Sequence, residues 1–217
     1  SPITWRSDGK ELATVDQTGL ANIWNASNGQ LIASLDGCPG TINAISWSPD
    51  GGRLAAGGDR RKIVVWDLAS GDIVQSLRAH TASIQRIDWN PDGVRLASGG
   101  DDGRVLIWDA KTGKRLTSLG GDHGRVSSLD WHPDGNQLMA VVGVNRRRTL
   151  KIWDTATGEE VVSWSGGNEL RGGRAALSPD GSRVVWGDDT IDLKTQTKIA
   201  SVAGETWGRH ASWSPSG

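Results

Sequence analysis

Four histidines, one cysteine and three arginine-bearing loops are the residues of this chain whose types could do chemistry. His80, His123, His132 and His210 sit in separate stretches, and no pair of them has a metal-ligand spacing. Cys38 stands alone, so neither a disulfide within the chain nor a cysteine-rich zinc site can form. The glycines punctuate turns and do not form a loop ahead of a helix, so no phosphate cradle is present. No metal and no cofactor is expected. Guanidinium chemistry is the stronger prospect: Arg60 and Arg61 precede Lys62, Arg146, Arg147 and Arg148 run together, and Arg171 and Arg174 accompany a Gly-rich stretch at 166–173. Arg forks of this kind recognise carboxylate or phosphate. The plainer reading is that exposed turns are charged because they are solvated.

The elements that would hold these residues follow from the tryptophans. The chain of 217 residues has 12 Trp and neither Tyr nor Phe. One set forms a Trp-x-x-Asp-Gly pattern at Trp5, Trp47, Trp89 and Trp131, continued with changes at Leu177 and Trp213, so the spacing is 42, 42, 42, 46 and 36 residues. A second set keeps step with it as Trp24-Asn25, Trp66-Asp67, Trp108-Asp109 and Trp153-Asp154, weakened to Ile191-Asp192. Two registers in step over five units establish an internal repeat. Each unit reads as four short strands. In the third, Ile84 to Trp89 alternates apolar and polar residues, Arg95 to Gly99, Arg104 to Trp108 and Lys114 to Leu119 are the further strands, and Asn90-Pro91-Asp92-Gly93, Asp101-Asp102-Gly103 and Asp109-Ala110-Lys111-Thr112-Gly113 supply turns. No segment has a helical period.

Lys plus Arg is 24 and Asp plus Glu is 25, so the net charge of −1 gives no global field to hold nucleic acid. No apolar run approaches the roughly 18–20 residues that span a bilayer, and no signal peptide opens the chain, so neither a nucleic acid nor a membrane is an expected partner and the expected location is cytoplasmic.

Ser48-Pro49-Asp50-Gly51 and its copies, Leu96-Ala97-Ser98-Gly99-Gly100, Val105-Leu106-Ile107-Trp108-Asp109 and Ala79-His80 closely resemble the WD-repeat (tryptophan–aspartate) β-propeller family, in the style of bacterial arrays. The resemblance covers essentially the whole chain. It implies an all-β fold of four-stranded antiparallel blades at approximately 3–35, 42–77, 84–119, 126–164 and 173–202, with an inner-strand stub at 210–217, in one region spanning 1–217. Five blades and a stub suggest an open or partial ring, a piece of a longer chain whose open blade edges favour self-association.

The family often locks a blade with a polar network of His, Ser or Thr, Asp and Trp. The third unit matches it in full at His80, Ser98, Asp102 and Trp108. The same residue types could be read as a hydrolase triad, but the resemblance implies a buried structural group. The other units are eroded. Gln17-Thr18 stand for the acid in the first; Cys38, Ala56 and Arg60 replace His, Ser and Asp in the second; His123 and Ala140 depart in the fourth; and the fifth has lost Trp-Asp. The third blade is therefore expected to be the most rigid and the fifth the least.

Binding in the family commonly sits at the end where the loops enter the inner strands, which is where the Arg turns fall. Those loops carry nine Arg against ten acids, so the face is patchy and not basic. Three Trp lie outside both registers. Trp207, in a loop, is a candidate anchor for a partner; Trp186 aligns with Ser98 and is expected to fill the space the polar network leaves; Trp164 ends a strand as core. The resulting expectation is a non-catalytic protein–protein interaction scaffold, with Arg60, Arg61, Arg146, Arg147, Arg148, Arg171 and Trp207 as candidate contacts. The alternatives are a propeller enzyme or small-ligand binder using the central channel, for which Asn43, Gln85, Arg86, Ser127 and Ser128 are polar but no catalytic set, and a periplasmic TolB-like propeller.

Overall fold

Strands three to eight residues long, closed by tight turns, have no face to bury except against another sheet, and the chain folds accordingly. The computed structural model describes residues 2–121, 124–144, 147–165, 174–201 and 213, the side chains of residues 144 and 147 excepted. Twenty strands among them make five four-stranded antiparallel sheets, each in sequence order. Blade 1 holds β1 (Ile3–Trp5), β2 (Glu11–Val15), β3 (Ala21–Asn25) and β4 (Leu31–Leu35). Blade 2 holds β5 (Ile42–Trp47), β6 (Arg53–Gly58), β7 (Lys62–Asp67) and β8 (Ile73–Arg78). Blade 3 holds β9 (Ile84–Trp89), β10 (Arg95–Gly100), β11 (Arg104–Asp109) and β12 (Arg115–Gly120). Blade 4 holds β13 (Arg125–Trp131), β14 (Gln137–Val144), β15 (Arg147–Asp154) and β16 (Glu160–Ser165). Blade 5 holds β17 (Ala175–Leu177), β18 (Arg183–Trp186), β19 (Asp189–Asp192) and β20 (Thr197–Ser201).

The chain separates into two compact units, residues 1–122 with the first three blades and residues 123–217 with the last two. The stub expected at 210–217 lies outside the described residues apart from Trp213. No helix among the described residues is long and apolar enough to cross a membrane.

Strand pairing explains why two tryptophan registers keep step. Trp47 pairs with Leu54 and Leu54 with Trp66; the same row recurs as Trp89–Leu96–Trp108 and Trp131–Leu138–Trp153. Directly paired residues of neighbouring strands share a sheet face, so each Leu is flanked by two indoles. Leu54, Leu96 and Leu138 are fully buried, a burial that stabilises by roughly 1.5–3 kcal/mol per side chain. In blade 5 the row becomes Leu177–Val184–Ile191. The cores lie between facing sheets: one cluster joins blades 1 and 2, a second blades 2 and 3, and a third blades 4 and 5.

Two of the register Trp also bond to the blade before them. Trp47 donates its indole N–H to the carbonyl of Thr4 at 3.3 Å, and Trp213 donates to that of Ala176 at 3.0 Å. Each acceptor is one residue before the matching position of the preceding blade. The Asp of each Trp-Asp pair caps the turn that follows: Asp109 accepts from the amides of Lys111 and Thr112, Asp67 and Asp154 do likewise in their blades, and Asp192, after Ile191, accepts from the amide of Thr195.

Every outer strand slips register beside the third-strand Trp or its replacement. The slip leaves one extra residue in each: Ile32, Val74, Leu116, Val161 and Ile199. All five are exposed, by 40–51%. They are the bulged residues of five equivalent β-bulges.

Candidate functional site

The densest polar constellation lies in blade 3. His80, in the loop before β9, places Nδ1 at 3.0 Å from both carboxylate oxygens of Asp102 and Nε2 at 2.8 Å from the hydroxyl of Ser98, which in turn lies 2.9 Å from Nε1 of Trp108. The His80 side chain is 1% exposed and that of Asp102 5%. Glycine at position 100 makes the arrangement possible. A Cβ there would sit 2.6 Å from an Asp102 oxygen and 2.8 Å from His80 Nδ1.

One proton arrangement satisfies every member. The Trp108 N–H donates to Ser98, the Ser98 O–H donates to Nε2 of His80, and Nδ1–H donates to ionised Asp102. Burial pushes the His80 imidazolium down, and this outweighs the nearby Asp102 carboxylate, so the ring is neutral near pH 7. Burial alone would raise the Asp102 carboxyl; the Thr81 amide, at 2.8 Å, and His80 together hold it below its ordinary value. The residue types are those of a hydrolase triad, but the Ser98 hydroxyl is fully buried and engaged as both donor and acceptor. A nucleophile must reach its substrate, and this one faces the protein interior on every side.

Equivalent positions in other blades have been solved differently. In blade 1, Trp24 donates to Thr14 at 2.8 Å, and Asp16 supplies the carboxylate from the start of the turn. Asp16 accepts from the hydroxyl of Thr18 at 2.6 Å and the side-chain amide of Asn22 at 3.0 Å, and the side-chain oxygen of Asn22 accepts from the Ser34 hydroxyl at 2.6 Å. These bonds, the hydroxyl of Thr18 foremost, hold its carboxyl down to about 2. In blade 2, Trp66 donates to the backbone carbonyl of Asp36 at 2.8 Å, which leaves Cys38 and Ala56 as buried apolar filling. Burial pushes the Cys38 thiol up to about 11, so it stays protonated. In blade 4, Ala140 and Trp153 are buried, and His123 lies outside the described residues.

At the same end of the first unit the loops touch within blade 2 and from blade 2 to blade 3. The Asp59 carboxylate accepts from the Thr41 amide and the Asp59 amide donates to the Thr41 carbonyl, both at 3.1 Å. Arg61 reaches the Thr81 carbonyl at 3.4 Å. Arg60 is 69% exposed, with Asp59 3.8 Å away. Arg148 is half-buried and engaged. Arg146, Arg171, Trp207 and the side chain of Arg147 lie outside the described residues. Arg60 and Arg61 are thus the two candidate contacts whose exposed side chains are described.

Polar residues of the inner strands are spent on neighbouring elements. Asn43 donates to the Ile84 carbonyl at 3.2 Å, Gln85 to Asp101 at 2.8 Å, and Ser127 to the Val141 carbonyl at 3.3 Å, while Ser128 accepts from the Ala175 amide at 2.8 Å. His132, at the opposite end of its blade, sits between Asp134 at 2.9 Å and the Gly181 carbonyl at 3.2 Å, tying blade 4 to blade 5. His210 lies outside the described residues. Among the described residues no three His, Cys, Asp or Glu side chains gather as a metal site requires. A cavity of about 140 Å³ opens between β16 and the β19–β20 turn, lined by Val162, Ser163, Trp164, Ile191, Leu193 and Gln196. Trp164 is half-buried there and packs on the apolar cluster of blades 4 and 5.

None of the curated proteins matches the chain. The family model of the WDR19 first beta-propeller matches residues 2–166, a span that takes in the first four sheets. With more than half of its length matched, and with its Trp-Asp turns, its sheets and the His80–Ser98–Trp108 link in place, the chain belongs to the WDR19 first beta-propeller family.

Proposed function

We propose that the chain is a non-catalytic scaffold that binds protein partners through the loops at the end where the inner strands begin. The observation that carries this reading is the contrast in the first unit between a braced frame and unlike tips. The carboxylates of Asp59 and Asp102 accept from the Thr41 and Thr81 amides and brace their loops, while the exposed tips differ from blade to blade: Gln17-Thr18, Arg60-Arg61 and Asp101. A rigid support with variable tips is what specific recognition by loops requires. The family's propellers are typically interaction scaffolds, which supports the same reading. The inner-strand polar groups, engaged by neighbouring backbone and side chains, favour it over catalysis in a central channel.

A photo-crosslinking amino acid placed at Arg60 or Thr81, and separately at Asp134 on the opposite end, tests the proposal in cells. Protein adducts concentrated at the first two positions are the expected result. Adducts at Asp134 alone, or turnover of a small substrate by the purified chain, would overturn it.

A further inference from the structure

We infer that the turn bearing Arg60 and Arg61 is a docking site for an acidic peptide segment of a partner protein, read through paired carboxylates. The inference rests on the scaffold reading in taking this end of the blades as the binding end. Arg61 has a φ of 60°, in the left-handed region that residues with a Cβ avoid. Equivalent turns in the same unit place glycine there: Gly19 has a φ of 89° and Gly103 of 74°. The equivalence is geometric, since the amides of Gly19, Arg61 and Gly103 each donate to the carbonyl three residues earlier, at 3.2–3.3 Å. A strained residue at a loop tip points to function when folding has a cheaper solution at the same position.

Arg60 tells the same story from the folding side. Its equivalent in blade 3 is Asp102, which turns inward to hold His80. Blade 2 has Cys38 and Ala56 in place of His80 and Ser98, so the inward role has gone, and Arg60 instead turns outward. Its stem lies over Gly40, where a Cβ would come within 2.7 Å of the Arg60 Cγ. The turn has thus exchanged an anion and a glycine for two guanidiniums. Both are under-used: Arg60 has one carboxylate at 3.8 Å, and Arg61 one long bond to a carbonyl. Each guanidinium offers five N–H donors in a planar fork that fits a carboxylate with two parallel bonds. The acids beside the turn do not satisfy them, because Asp59 is bound to the Thr41 amide, Asp101 to Gln85 and Asp102 to His80 and Thr81.

The test is fluorescence anisotropy of a labelled Gly-Glu-Glu-Gly-Glu-Glu-Gly peptide against the full 217-residue chain, with an oligolysine peptide of the same length as comparison. Saturable binding of the acidic peptide that weakens as salt rises is expected. Arg60→Ala and Arg61→Gly should each weaken it about tenfold, the loss of one charge-assisted pair. Arg61→Gly should do so with a melting temperature no lower than the parent's, because glycine suits that φ. Arg115→Ala, an exposed Arg on β12, should leave binding unchanged. Unchanged affinity in Arg61→Gly, equal binding of oligolysine, or no saturable binding of the acidic peptide would each overturn the inference. Cross-links to a partner at Thr81 that persist when Arg60 and Arg61 are both replaced would sink this site and leave the scaffold reading standing.

Discussion

Trp186 stands in blade 5 where Ser98 stands in blade 3. Ser98 pairs with Ile87 and Trp186 with Ala175, each two residues before the end of its inner strand. Ile191 in turn faces Val184 as Trp108 faces Leu96. The indole has moved from the third strand to the second, and Ala175 in place of Ile87 gives it room. Trp186 is fully buried, and among the described residues its Nε1 has no hydrogen-bond partner.

That exchange makes two substitutions of the same kind behave differently. Trp186→Phe removes a buried unsatisfied donor, a gain of about 1–3 kcal/mol that offsets the lost volume, so its urea midpoint should stay near the parent's. Trp108→Phe loses volume and also leaves Ser98 without its donor, so it should be worse by about 1–3 kcal/mol. Equal losses in the two variants would contradict the assignment of the unpaired N–H.

Ser98→Ala tests the blade 3 network itself. It removes the acceptor of Trp108 and the donor to His80 at once, inside a site shut off from water. The expected loss is about 1–3 kcal/mol, against under about 0.5 kcal/mol for Ser76→Ala on the exposed strand β8. Denaturant midpoints that fall equally for both would remove the network from the account of stability.

The same network sets a pH window. His80 is held below its ordinary 6.5 chiefly by burial, so the unfolded chain binds a proton more readily than the folded one. Its contribution is fully present above about 6.5 and is lost as the pH falls from there toward the lower folded value. Carboxyls such as Asp8 and Asp180, held at about 2 mainly by the Arg6 side chain and the Ser178 hydroxyl respectively, act lower, as pH falls from about 4 to 2. The melting temperature should therefore fall between about pH 7 and 5 less steeply in His80→Gln than in the parent, while the acid limb keeps its slope. Parallel curves across the upper window would refute a neutral buried His80.

Gln196 has a φ of 54°, where the matching residues of the other blades are Gly29, Gly71, Gly113 and Gly158 with φ of 70–77°. Gln196→Gly should stabilise the chain by about 0.5–1 kcal/mol, the strain relieved outweighing the entropy glycine adds to the unfolded chain. Lys194→Gly, on the same exposed turn without a positive φ, should destabilise it by a similar amount. Thermal melts of the two should shift in opposite directions.

Much of this was legible in the spacing of a few residue types. Twelve Trp and no other aromatic exposed the repeat, and Asp-Gly pairs marked the turns. What spacing could not show was the row that sets Trp89 and Trp108 on either side of Leu96, because strand pairing is invisible until the strands are laid together. Asp16 escaped notice because a turn can draw its carboxylate from its first residue as readily as from its third. The acceptor of Trp66, the Asp36 carbonyl, belongs to the main chain and has no letter in the sequence. The strain at Arg61 and Gln196 was in principle readable, as two breaks in a column of glycines.

The slipped register of every outer strand bears on how such molecules coexist in crowded solution. A sheet edge with unpaired amides and carbonyls is a template onto which another chain can zip, and a flat regular edge is the most dangerous kind. Here Ile32, Val74, Leu116, Val161 and Ile199 each break the ladder at the same height on the edge strand. A neighbour adding to the edge would find its hydrogen-bond pattern interrupted after about two residues. One irregularity, repeated blade after blade, makes the outer edges of five sheets a poor seed for fibres.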